Sequence, residues 1–176
     1  MKFTETKLKG AYVVEIEPYE DQRGFFSRTY CEDEFEALGI IFRPVQANLS
    51  GTQKKGTIRG LHFQVNPAKE SKLVRTIRGS VYDVIIDMRP DSPTYLDYFG
   101  IELSATNHRA IYIPDMFAHG YQAMEDDVEI FYMAGERYNP GCERGFRFDD
   151  PSVNIQWPLE VSIVSEKDLM WGPLDQ

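Results

Sequence analysis

The stretch Leu73-Val74-Arg75-Thr76-Ile77, then Arg78-Gly79-Ser80, then Val81-Tyr82-Asp83-Val84-Ile85-Ile86 carries the reading of the fold. Two short runs rich in β-branched and aromatic residues stand on either side of a glycine-containing turn signal, and such runs read as strands. Outward from it the pattern repeats in Tyr12-Val13-Val14-Glu15-Ile16, Ala110-Ile111-Tyr112-Ile113 and Val128-Glu129-Ile130-Phe131-Tyr132-Met133. Turn signals punctuate the runs at Arg89-Pro90-Asp91-Ser92-Pro93, Glu125-Asp126-Asp127 and Asn139-Pro140-Gly141. Short strands at regular spacing predict an all-β sandwich or barrel. Two short helices interrupt it. Glu32-Asp33-Glu34-Phe35-Glu36-Ala37-Leu38 has acids in its first turn and Gly39 as a stop. Ser165-Glu166-Lys167-Asp168 reads as a helical turn capped by Ser165. No repeat, low-complexity segment or linker divides the chain, so residues 1–176 read as one domain.

Composition narrows the function. With 19 Lys and Arg against 28 Asp and Glu, the net charge is −9, which argues against a generic nucleic-acid binder. No apolar run approaches the roughly 20 residues of a membrane helix. The segment Met1-Lys2-Phe3-Thr4-Glu5-Thr6-Lys7 has no apolar stretch behind its charge and does not read as a secretory signal. Cys31 and Cys142 are the only cysteines, too few for a disulfide framework or a four-thiolate zinc site. The expected compartment is the cytoplasm.

Chemistry concentrates at three histidines, His62, His108 and His119. In Ile58-Arg59-Gly60-Leu61-His62-Phe63-Gln64, strand alternation puts Ile58, Gly60, His62 and Gln64 on one face and Arg59, Leu61 and Phe63 on the other. A bulge at Gly60 would blur that division. His62 then reads either as a hydrogen-bonded histidine on a half-buried strand or as a general base in a barrel mouth. His119, in Phe117-Ala118-His119-Gly120-Tyr121, taken alone reads as a strand-start histidine bonded to backbone, and His108 as surface. Spacing offers no clustered metal ligands. There is no G-x-S-x-G elbow and no glycine-rich phosphate loop. Positive charge gathers in the first half, where Arg59 and Lys72 flank the histidine strand. A cationic pocket in an acidic protein suits a small anion such as a diphosphate. Tyr132 and Tyr138 bracket Met133-Ala134-Gly135-Glu136-Arg137, and their phenols read either as packing or as weak acids.

Taken in order, Asp21-Gln22-Arg23-Gly24-Phe25-Phe26, Arg59-Gly60-Leu61-His62-Phe63-Gln64, Ser71-Lys72-Leu73-Val74-Arg75, Tyr82-Asp83-Val84-Ile85-Ile86-Asp87-Met88-Arg89, Phe117-Ala118-His119-Gly120-Tyr121 and Ser165-Glu166-Lys167-Asp168 resemble the dTDP-4-dehydrorhamnose 3,5-epimerase family over nearly the whole chain. The resemblance implies a cupin-type β-jelly roll with short flanking helices, a homodimer, and neither metal nor organic cofactor. The implied substrate is a 4-keto-6-deoxyhexose on a nucleoside diphosphate. The implied catalytic residues are His62 as base, Asp168 as its orienter, Lys72 at the developing oxyanion on O4, and Tyr132 as acid on the opposite face. Arg23, Arg59 and His119 would hold diphosphate or sugar. Gln46 and Asn48 would lie near the nucleotide, Glu143 and Lys167 match further binding positions, and Tyr138 would line the pocket. Three positions depart from the family pattern. Arg28 stands where a nucleotide-contacting glutamate is usual, which leaves the base open. Met133 replaces a common lysine after Tyr132, and Met116 a usual glycine before Phe117, so pocket shape is expected to differ. The alternatives are a single-carbon epimerase or ketoisomerase on a related nucleotide sugar, a non-catalytic sugar-nucleotide-binding cupin, and a metal-dependent cupin oxygenase. Edge strands of a jelly roll need covering, and the strand around Ala11–Ile16 is expected to pair across a dimer.

Overall fold

The structure, a computed structural model, describes residues 1–174, so the last two residues of the expected domain lie outside the described residues. In chain order the elements are β1 (Lys2–Glu5), β2 (Tyr12–Glu15), β3 (Tyr19–Asp21), β4 (Gly24–Phe26), α1 (Glu32–Glu36), β5 (Gln46–Thr52), β6 (Ile58–Gln64), β7 (Lys72–Arg78), β8 (Ser80–Asp87), β9 (Tyr98–Ser104), β10 (Ala110–Ile113), β11 (Phe117–Ala123), β12 (Val128–Ala134), β13 (Glu143–Gly145) and α2 (Glu166–Leu169). One sheet runs β1-β2-β10-β7-β12-β5 and the other β13-β6-β11-β8-β9, with β3 and β4 as a separate hairpin. From β5 to β8 the chain crosses between the sheets at every strand, and it does so again from β9 to β13. The result is the jelly roll expected from the resemblance. Among the described residues, no helix is long and apolar enough to cross a membrane.

The opening stretch shows why. Ile77 and Val81 are close in sequence, yet their strands lie in different sheets. Gly79 makes the turn at φ +71°, a left-handed conformation that glycine adopts without a Cβ penalty. On β7 and β10, Val74, Ile111 and Ile113 point inward, meeting Val81, Ile85, Leu103 and Phe117 of the facing sheet in the central core. Leu73, Ala110 and Tyr112 point outward, against Phe35, Ile40 and Phe42 of the α1 region. On β8, Val84 and Ile86 point away from the central core, against Leu61, Phe146 and Val153. That strand is apolar on both faces because both are buried, which explains its near-continuous hydrophobic run. Each such fully buried Ile or Leu stabilises the fold by roughly 1.5–3 kcal/mol.

Both short helices form where expected, α1 ending ahead of Gly39 (φ +75°). In α2, the Ser165 hydroxyl accepts from the Asp168 N–H at 3.1 Å, the expected cap. One expectation is corrected. The strand within Ala11–Ile16 is not an edge, because β2 is flanked by β1 and β10, which leaves β1 at the border.

Candidate active site

β6 and β11 come together at two glycines. A Cβ on Gly60 would lie 2.6 Å from Gly120 Cα, and a Cβ on Gly120 would lie 2.7 Å from the Arg59 carbonyl oxygen. Gly60 sits at φ +121°, and the β6–β11 register shifts between His119 and Tyr121. The backbones therefore approach more closely than any side chain allows, and the alternation of β6 breaks. Leu61 and Phe63 share one face as expected, and that face packs into the outer core. Arg59, expected on their side, instead lines the same cleft as His62. Its guanidinium donates to Thr52 Oγ1 (3.1 Å) and the Gly51 carbonyl (2.8 Å) on the opposite sheet.

This cleft lies between the sheets and has two adjoining lobes of about 440 and 340 Å³. His62, Lys72 and Tyr132 line both lobes and so stand at their junction. His62 Nε2 is 2.7 Å from Asp168 Oδ1. The Asp168 side chain is 5% exposed and that of His62 31%, so the carboxylate is sealed behind a ring that still faces the cleft. The Gly60 N–H also donates to Asp168, at 3.3 Å. Burial alone would push this carboxyl's pKa up. The hydrogen bond to His62, with those from the Gly60 N–H and Ser165, outweighs it and holds the group below its ordinary range. An anionic Asp168 fixes the ring and stabilises the positive charge it acquires on taking a proton.

The opposite wall belongs to the other sheet. Leu73 and Met133 face outward, so alternation turns Lys72 and Tyr132 inward. Burial first, then the nearby Glu70 carboxylate and Tyr121, pushes the Tyr132 phenol pKa up and keeps it a proton donor. The Lys72 ammonium is 2.8 Å from Glu70 Oε2, with both side chains nearly buried. His119 bonds through Nε2 to the fully buried Asp83 at 2.8 Å and lines the lobe that holds Asp168. The second lobe is walled by Gln46, Asn48, Tyr138 and Glu143. Gln46 accepts from the Tyr138 N–H at 2.8 Å, and the Tyr138 hydroxyl donates to Glu143 at 3.0 Å. Lys167, which lines the first lobe, donates to both Glu143 oxygens at 2.7 Å.

Eleven of the thirteen expected site residues thus line one cleft, and two do not. Arg23 sits on the exposed β3–β4 hairpin, bound to Asp21, and lines only a hollow of that hairpin. Arg28 is exposed and bonds Glu34 at 2.9 Å, away from the cleft. Met133 packs against the outer aromatic cluster, and Met116 occupies a left-handed turn at φ +59°, so neither lines the cleft. His108 is half-buried with its ring 4.9 Å from that of Phe25. Glu70 and Tyr121 were not singled out by sequence. Glu70 is two residues before Lys72, the spacing that keeps side chains on one side of an extended chain, and this signal was available. Among the described residues, no three His, Cys, Asp or Glu side chains are grouped to hold a metal ion.

A base with its orienting carboxylate on one wall and a phenol on the other can remove a proton from one face of a bound ring and return one to the other. That is the capability of an isomerase of the epimerase class, carried on a cupin jelly roll. Comparison with known proteins agrees. A family model described as dTDP-4-dehydrorhamnose 3,5-epimerase matches residues 5–176. The dTDP-4-dehydrorhamnose 3,5-epimerase of Methanothermobacter thermautotrophicus is 43% identical, over 98% of this chain and 94% of its own. A crystal structure of the Bacillus anthracis dTDP-4-dehydrorhamnose 3,5-epimerase with TDP and PPi bound superposes with a TM-score of 0.94 at 39% identity, covering 98% of this chain and 99% of that one. The Legionella pneumophila dTDP-6-deoxy-D-glucose-3,5-epimerase in complex with dTDP-4-keto-L-rhamnose superposes with a TM-score of 0.92 at 36% identity, covering 98% and 92%. The chain belongs to the dTDP-4-dehydrorhamnose 3,5-epimerase family.

Proposed function

We propose that the protein converts dTDP-4-dehydro-6-deoxy-D-glucose to dTDP-4-dehydro-L-rhamnose by inverting C3 and C5. The observation that carries this is the placement of His62 and Tyr132 on facing sheets at the junction of two lobes. A sugar ring lying between the sheets meets the imidazole on one face and the phenol on the other. His62 removes the proton beside the ketone, and Asp168 stabilises the resulting imidazolium. The enolate oxygen at C4 needs a fixed positive partner, which Lys72 supplies. Tyr132 returns a proton to the same carbon from the other side. Inversion follows because removal and return occur on opposite faces.

The lobes suit the two ends of a nucleotide sugar. Arg59 and His119, beside the sugar lobe, offer donors to a diphosphate or to sugar hydroxyls. Gln46, Asn48 and Tyr138 give the other lobe amides and an aromatic face for a base, and Glu143, held by Lys167 from the first lobe, closes its polar end. We further read the protein as a homodimer acting in the cytoplasm. The β3–β4 arm exposes Tyr19, Phe25 and Phe26, and it carries Arg23, with Arg28 just beyond. A second copy that covers the arm brings these two arginines into use.

The test is incubation with dTDP-4-keto-6-deoxyglucose in deuterated water. The expected result is one enzyme-dependent deuterium at C3, one at C5, and an L-configured product. A single deuterium with one inverted centre would make the protein a single-carbon epimerase. No incorporation by folded protein would overturn the reading.

A further inference from the structure

Most charged or phenolic groups in the cleft already have fixed partners. Asp168 holds His62, and Asp83 holds His119. Glu143 holds Lys167 and Tyr138, Arg59 is bonded to Thr52 and Gly51, and Tyr121 to Thr52 and Ser50. What remains beside Tyr132 is Lys72 and the carboxylate facing it. We propose that Glu70 is a positioning residue for the epimerisation, aiming the Lys72 ammonium at the enolate oxygen and holding negative charge beside the Tyr132 phenol. This rests on the roles given above to Lys72 and Tyr132.

The geometry makes the case. Glu70 and Lys72 are 10% and 12% exposed and 2.8 Å apart, and both line the lobe that Tyr132 also lines. A lysine side chain ends four freely rotating carbons from its backbone, and an oxyanion site works only if its donor is placed before charge develops. Among the described residues, Glu70 is the only carboxylate within ion-pair distance of Lys72 Nζ. The pair is too dry to be a solvated surface contact, and burying two charges is costly unless each is paired. The same carboxylate disfavours ionisation of the Tyr132 phenol, second only to burial. One residue therefore serves both halves of the proton transfer. It fixes the ammonium that stabilises the enolate and keeps the acid protonated until the carbanion needs it.

The test is Glu70→Gln, with Glu70→Asp alongside, assayed for kcat, KM and the pH dependence of kcat on the same nucleotide sugar. Gln keeps the size and removes the charge. Expected is a fall in kcat of roughly ten- to a hundredfold with little change in KM, the scale of a misplaced catalytic donor. The descending basic limb, where the phenol ionises, should move to lower pH, since the charge opposing ionisation is gone. Asp keeps the charge and should restore that limb even if kcat recovers only in part. If Gln prevents folding, judged by circular dichroism, the limb and kcat of the Asp variant decide. A limb moved to lower pH together with wild-type kcat in that variant would overturn the idea. So would wild-type kcat and an unmoved limb in a folded Gln variant, or a lowered melting temperature with kcat per folded enzyme unchanged. A kcat above wild type would show that Glu70 merely quenches Lys72. A wild-type protein that exchanges no deuterium removes the proposed function itself, and this inference with it.

Discussion

Asp168 and His62 are 106 residues apart in sequence and 2.7 Å apart in space. Nothing in either local stretch announces the pair, and only the family resemblance joins the two residues. Tyr132 was equally mute, since a tyrosine on a strand has the same sequence pattern whether it packs or donates. Its inward direction comes from Met133 and Leu73 seeking the outer apolar layer. The division of labour across the cleft predicts an asymmetric phenotype. Tyr132→Phe should still let His62 remove a proton, exchange it with solvent and return it to the same face. Deuterium therefore enters the substrate while L-product formation falls by about 10²–10⁴-fold, the usual contribution of a positioned acid. Mass spectrometry paired with NMR of the sugar separates the two readouts. Loss of both exchange and inversion would mean that the phenol takes part in proton removal as well.

At the scale of elements, β6 shows where pattern reading stops. Alternation placed Leu61, His62 and Phe63 correctly relative to one another, but it sent Arg59 to the wrong face. The break is backbone geometry at Gly60, visible in sequence only as a glycine inside a strand. A substitution there meets backbone rather than movable side chain. Gly60→Ala should cost roughly 3 kcal/mol or more, combining a disfavoured positive φ with overpacking. Urea unfolding would show it, and any folded fraction should have lost activity through a displaced His62. A stable, fully active Gly60→Ala protein would refute the account of this crossing. The helices were more legible, because caps and stops are local: Ser165 caps α2 and thereby presents Asp168 to β6.

At the scale of the molecule, the arm formed by β3 and β4 is the part that the single chain leaves unexplained. Tyr19 and Phe26 are 80% and 75% exposed, unusual for aromatic side chains clustered on one hairpin. Association through this arm predicts a dimer of about twice the 20.3 kDa chain mass by light scattering at micromolar concentration. Phe26→Ser should weaken it, and nucleotide affinity should fall in parallel if Arg23 and Arg28 act only in the assembled form. A monomer that binds dTDP and turns over at full rate would remove both the dimer and that role for the arginines.

Strand runs, turn glycines, the two helical turns and the acidic character of the chain are local or compositional properties, and each can be read without coordinates. So could the motif order that marks the family. The assembly of the cleft was of another kind. Consecutive strands cross from one sheet to the other, so neighbours in sequence become opposite walls, and His62 meets Tyr132 only after the sheets close. The close approach of Gly60 to Gly120 and the interior position of β2 share that origin. Each is fixed by burial and by backbone hydrogen bonding between distant segments, and a one-dimensional pattern carries no term for either.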